Sequence, residues 1–223
     1  ALMALDTYGN LKTAIADWAW GEVTTALIGS DFFPRMQSKM FFGDGAGGDG
    51  LVQIKPLRIR AMIDSATITP SASGQVTIST GVDTAWLEFI SLTPTDVYGR
   101  SLDYLDYWEF KKRAELQAAG TPEYYSIEGD TLYTGPYSSA TLAAIYYQKF
   151  TALSADGDVD WVLTNAPQIY MDGCLMEACA YRQDEREGTY RQKFAAGINA
   201  LNHNNRIAKM SGAVKRSVPR AVA

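Results

Sequence analysis

The sequence predicts an α+β fold: a helical hairpin or bundle built from the N- and C-terminal segments, an inserted β-rich lobe, and an extended C-terminal arm. Three observations predict it. Apolar residues recur at helical spacing near both ends of the chain, the period shifts toward two between Leu51 and about Phe150, and the last dozen residues lose all period. These shifts set the expected organisation: a discontinuous helical core of residues 6–42 and 160–211, a lobe of residues 51–155 carrying one helix, and a flexible basic arm of residues 212–223.

The elements follow in chain order. In TYGNLKTAIADWAWG, Leu11, Ile15 and Trp18 share one helical face, with Thr7 or Asn10 to cap the start and Gly21 to end it. DFFPRMQSKMFF, from Asp31 to Phe42, predicts a second helix capped by Asp31 or Ser30, with Pro34 tolerated in its first turn. GDGAGGDG, from Gly43 to Gly50, reads as a flexible connection. Beyond it KPLRIRAMI, QVTIST and WLEFISL predict strands, with PSASG as the turn between the early ones. SLDYLDYWEFKKRAELQAAGTP predicts a helix ending with Gly120 at C′ and Pro122 two residues on. YYSIEGDTLYTGP predicts a hairpin around a Gly129-Asp130 type II′ turn, and TLAAIYYQKF a third strand after it.

The C-terminal third predicts two helices. Pro167 suits a first turn, and Ile169, Gly173, Met176 and Ala180 form a stripe that Cys174, Leu175, Ala178 and Cys179 widen well beyond one face. Such a helix needs cover on two sides, which one hairpin does not supply; the expectation is packing against a neighbouring subunit. Asp184 and Glu187 resemble a capping box for the next helix, whose stripe is Tyr190, Phe194, Ile198 and Leu201.

Composition narrows the function. With 223 residues, the chain can bury roughly 70–75% of its unfolded surface and fold unaided. No apolar run reaches the roughly 18–20 residues of a membrane span, and the N-terminus lacks a signal-peptide pattern, so a soluble, non-secreted protein is expected. One histidine, His203, leaves little room for His-based catalysis or a His-rich metal site. Cys174 and Cys179, five apart on one helix, fall on different faces and read as buried apolar residues. The net charge is −5, yet residues 188–223 hold seven of the twenty basic residues and none of the twenty-five acidic ones. An acidic body of −12 therefore carries a basic tail of +7. The body opposes an approach to duplex DNA, so the tail reads as an arm for a partner groove, where its cations steer association and Val214, Val218 and Val222 anchor it.

Two short motifs reduce to structural readings. The glycine tract has no Lys-Ser/Thr after it and sits between helix and strand, the wrong order for a phosphate loop. Asp156, Asp158 and Asp160 open like a calcium loop, but Trp161 stands where Gly is needed and Pro167 where Glu is needed. Glu177, inside the apolar helix, calls for a cationic partner on the next helix or a neighbouring subunit. The 13 tyrosines exceed what a lobe core consumes, which favours protein contact and leaves a carbohydrate-binding module as an alternative.

Residues 131–202 resemble the head-to-tail adaptor (tail accessory factor, or neck connector) family of tailed bacteriophages. The likeness rests on a hairpin ending at Tyr133 to Pro136, a Tyr146-Tyr147-x-Lys149 strand, and Asp160-Trp161-x-Leu163-Thr164 before the Pro167 helix. Glu177-Ala178 and Asp184-Glu185-Arg186 follow it, and TYGNLKTAIADW is similar to the family's first helix. The resemblance implies a structural virion protein without catalysis, cofactor or metal. It implies a ring of twelve copies that is assembled in the host cytoplasm and docks on the portal at the capsid vertex. The ring would extend the channel through which DNA passes and offer the attachment surface for tail tube, nozzle or fibre proteins. The arm residues Arg206, Lys209, Lys215, Arg216, Val218 and Arg220 would then meet the portal, and Ile169, Met176, Glu177, Tyr190, Phe194 and Ile198 the neighbouring subunit. Another neck or tail-completion protein is the alternative of the same class.

Overall fold

A computed structural model describes residues 5–19, 23–45, 52–96, 100–114, 116–117 and 119–211, with side chains as far as 207. The fold is α+β, as the sequence predicts. The chain divides into two units, residues 1–61 with 151–223, and residues 62–150. The expected arm, 212–223, lies outside the described residues, as does most of the glycine tract.

In the first unit, α1 (Tyr8–Trp18) is capped by Thr7, whose hydroxyl accepts the Asn10 amide at 3.3 Å. Tyr8, Leu11, Ala14 and Ile15 face inward, whereas Trp18, expected on that stripe, points to solvent. The next helix starts earlier than the sequence suggests. Thr24 caps α2 (Thr25–Leu27), which runs through a π turn (Ile28–Phe32) into α3 (Phe33–Phe42). Asp31 therefore lies inside the helix and caps nothing. A regular helix would drive the Pro34 ring into the Ser30 carbonyl; the wide turn just before it, closed by Phe33 N–H to the Ile28 carbonyl, makes room.

After α6 (Trp161–Asn165), α7 (Pro167–Arg182) and α8 (Glu187–Ser211) complete the unit. They join by a Schellman turn with Gln183 at φ 57, in the left-handed region that usually takes glycine; its N–H reaches the Ala180 carbonyl and that of Asp184 the Cys179 carbonyl. Asp184 forms no capping box. Its carboxylate takes the Arg186 amide at 2.9 Å and the guanidinium at 3.0 and 2.7 Å. These bonds hold its pKa at about 2, below the ordinary 3.8. A depressed carboxylate pKa contributes stability that is complete above the unfolded value and disappears as pH falls toward the folded one. Asp184→Asn should therefore flatten the pH dependence of unfolding between about pH 4 and 2; denaturant midpoints across that window check it.

The sequence predicts a strand at KPLRIRAMI, but Lys55–Ile59 pairs with no strand. Leu57 N–H donates to the Met40 carbonyl of α3 at 2.8 Å, and two side-chain amides of α8 take up further backbone bonds. Asn202 accepts from Arg58 N–H at 2.8 Å and donates to the Pro56 carbonyl at 3.0 Å, and Asn205 does the same for Arg60 N–H (2.9 Å) and the Arg58 carbonyl (3.2 Å). Three residues apart, the two amides share one helix face and imitate a strand edge. This is why the unit boundary falls at Ala61 and not at Leu51. Asn202→Ala should unprotect the Arg58 amide in hydrogen exchange and cost ~1 kcal/mol, the ordinary worth of a hydrogen bond.

The second unit holds two sheets and the short helix α4 (Ile78–Gly81). One is antiparallel in the order β1 (Ile63–Ile68), β7 (Leu142–Gln148), β3 (Trp86–Pro94); the other runs β2 (Gln75–Thr77), β6 (Thr131–Gly135), β5 (Tyr124–Glu128), β4 (Asp103–Tyr104), with β4 parallel to β5. The Gly129-Asp130 hairpin forms as predicted, with Gly129 at φ 58. Three expectations change. PSASG joins no hairpin, since β1 and β2 belong to different sheets, and Gly74 sits where a Cβ would come within 2.4 Å of the Thr134 carbonyl oxygen. β7 does not extend the β5–β6 hairpin; Leu142, Ala144 and Tyr146 point into the core, and the strand lies central between β1 and β3. The predicted long helix after Ser101 shrinks to α5 (Tyr107–Ala114), because Asp103–Tyr104 pairs as β4 and the Asp106 carboxylate takes the Trp108 amide to start the helix. Ile68, Ile78, Leu92, Leu132, Leu142 and Tyr146 form the main lobe core, and Phe110, Ala114 and Tyr124 a second one under α5.

Candidate assembly surfaces

The predicted subunit-contact residues fall mostly inside one subunit. Met176 is 1% exposed, Phe194 and Ile198 are fully buried, and Ile169 is buried beside them. The second side of α7 that the sequence assigned to a neighbour is covered by the chain's own α1 and α3, while α8 covers the first. Glu177 is buried too, and its carboxylate takes the Lys39 ammonium of α3 at 2.5 Å. Its partner is an N-terminal helix of the same chain, neither of the two sources the sequence suggested. Tyr190 alone of the six stays half-exposed. Met176→Asp or Phe194→Asp therefore tests the subunit's fold and not its association.

Polar groups in this unit serve as joints. Arg191, which sequence counting assigns to the basic tail, is buried; it donates to the Asp44 carboxylate and, at 3.0 Å, to the Val52 carbonyl. Asp44 also accepts Ile54 N–H at 3.0 Å, so one arginine ties both ends of the glycine tract to α8. The three aspartates of the calcium-like motif have three separate tasks. Asp156 pairs with Lys12 at 2.8 Å, Asp158 takes the Ser154 and Ala155 amides at 2.7 Å, and Asp160 caps α6 and accepts the Tyr170 hydroxyl. Burial raises the Asp160 carboxyl and pushes Tyr8 up to about 12. Cys174 and Cys179 are buried thiols raised by desolvation, which removes nucleophilic thiolate at neutral pH.

Most tyrosines are consumed internally. Tyr124, Tyr133 and Tyr137 stack around Phe110 at 5.5, 6.0 and 6.5 Å, and Tyr8, Phe33 and Tyr170 form a chain at 4.8 and 5.2 Å. Large apolar groups stay exposed on both units. On the helical unit they include Trp18, Tyr181, which rests on Phe32 at 5.7 Å, and Ile207 near the end of α8; on the lobe Trp108 is 75% exposed. A groove of about 240 Å³ lies between Ile59–Ala61, Trp161 and Leu201 to Asn205. Arg206 is exposed on α8; Lys209 lies on the helix beyond the described side chains, and Lys215, Arg216, Val218 and Arg220 lie outside the described residues. The composition supplied no signal for the Asn202–Asn205 joint, but the run Asn202-His203-Asn204-Asn205 did: asparagine is a poor helix former, and repeating it inside a long helix marks a hydrogen-bonding task.

The chain belongs to the SU10 adaptor protein family, whose model matches residues 6–217. It is thus a bacteriophage adaptor, a structural protein of the virion neck that works between portal and tail components. No curated protein matches the sequence. No helix among the described residues is long and apolar enough to cross a membrane.

Proposed function

We propose that the chain forms a homo-oligomeric ring, twelve copies by family resemblance, which docks on the portal, continues the DNA channel and presents the tail attachment surface, without catalysis. The observation that carries this reading is the segregation of charge on a chain of the adaptor family: −12 over residues 1–187 and +7 over residues 188–223. An acidic wall does not neutralise phosphates and so does not hold passing DNA, whereas a basic lumen would bind it in a salt-dependent way. The basic residues serve a different contact. With Arg191 committed to Asp44, the cations left for the arm are those at and beyond the end of α8, Arg206, Lys209, Lys215, Arg216 and Arg220, with Val218 as an apolar anchor.

The test is capture of the purified chain by immobilised portal protein from the same genome. Truncation after Met210 should weaken capture by roughly tenfold or more, and raised salt should reduce the difference between truncated and full-length chain, because steering by the arm is electrostatic. Equal capture of both chains at low salt would refute the arm's role.

A further inference from the structure

The lobe of residues 62–150 carries eleven carboxylates and five cations. Outside residues 107–116 it carries nine carboxylates and two cations, Arg100 and Lys149, while three of its five cations sit together on α5 as Lys111, Lys112 and Arg113. Phe110 and Ala114 anchor α5 inward against Tyr124 at the start of β5. Arg113 is occupied, paired with Glu109 at 2.9 Å and lying 6.0 Å from the Tyr124 ring. Lys111 and Lys112 pair with no described carboxylate, and with Trp108 they occupy positions i, i+3 and i+4, an exposed basic face around an aromatic group.

The opposite end of the same hairpin is acidic. Tyr124 pairs with Gly135 at the α5 end, and Glu128 pairs with Thr131 at the turn, so Glu128 and Asp130 stand about 13 Å further along at ~3.3 Å per residue. Both are exposed, and Asp130 holds the Ser79 amide at 3.1 Å. The Trp108–Lys111–Lys112 face of α5 thus stands at one end of the hairpin, with Asp103, Asp106, Glu109 and Glu123 beside it, and a tip whose charges are all anionic stands at the other. Head-to-tail contacts in a ring join unlike faces of identical copies, so a second copy brings the anionic complement that the α5 face needs.

We infer that adjacent lobes join head to tail, the Trp108–Lys111–Lys112 face of one copy seating on the Glu128 hairpin tip of the next. This rests on the ring reading above. The experiment measures, by sedimentation with portal, the ring assembly of the full chain, of K111E/K112E, of E128K, and of the combined K111E/K112E/E128K chain; Asp130 is left intact because it holds Ser79. Each reversal should lower ring recovery at least tenfold. The combined chain, and an equimolar mixture of the two reversed chains, should recover at least half of the lost rings, since the lysine of E128K then faces the reversed α5 carboxylates while Asp130 stays in place. Thermal melts matching the wild type show that the variants fold. Wild-type rings with undiminished rings from K111E/K112E would overturn this inference alone, and if that variant loses only DNA retention, α5 serves an anionic polymer instead. A wild-type chain that never assembles would overturn the ring reading itself.

Discussion

Arg191→Ala is expected to destabilise the subunit by ~3–5 kcal/mol, the cost of leaving one partner of a buried ion pair unpaired. Both side chains are more than nine-tenths buried, so solvent does not screen the remaining Asp44 charge. The loss extends beyond the pair, because Arg191 also holds the Val52 carbonyl and Asp44 the Ile54 amide, where the glycine tract enters and leaves α8's surface. The double change R191M/D44N removes the stranded charge, keeps an acceptor for Ile54 and fills the guanidinium's space. It should recover a large part of the loss, and a denaturant double-mutant cycle measures that coupling. If R191A alone unfolded at the wild-type midpoint, the pair would have no structural role.

Gly173→Val is expected to cost about 3 kcal/mol, at the upper end for overpacking a core. A Cβ at Gly173 would stand 2.4 Å from Met36 Cγ and 2.8 Å from Phe194 Cε2, so α3, α7 and α8 meet where only a hydrogen fits. Neither obstacle is the loose end of a flexible chain. Met36 is pinned on α3, and the Phe194 ring is fully buried. Gly173→Ala should lose less, since alanine regains about 1 kcal/mol of helix propensity over glycine. Thermal unfolding of both variants checks the order; a valine variant as stable as wild type would mean the three helices can part without cost.

The α+β class and the long C-terminal helices were legible in the sequence because periodicity reports burial directly. The stripe of Phe194 and Ile198 and the Pro167 start are features of single helices, and they appear where predicted. What covers an apolar face is not local. α7 is apolar all round whether a neighbour or α1 and α3 covers it, so Met176 and Glu177 were legible as buried but not as buried within one subunit. Sheet order is hidden for the same reason: β7 alternates identically whether it extends the β5–β6 hairpin or crosses to lie between β1 and β3. Lys55–Ile59 shows another failure. An extended segment reads as a strand from its residues, and its partners, the Asn202 and Asn205 amides and the Met40 carbonyl, make it something else. The exposed basic face of α5 was hidden within a longer apparent helix, whose length obscured that Trp108 points outward.

We propose above that this adaptor works as a ring seated on the portal. Light-scattering mass of the purified 24.4 kDa chain, measured alone and mixed with the portal protein of the same genome, tests it most directly. In the mixture a portal ring should gain the mass of twelve chains, and truncation after Met210 should lower that gain. A chain that remains at 24.4 kDa beside an unaltered portal would contradict it.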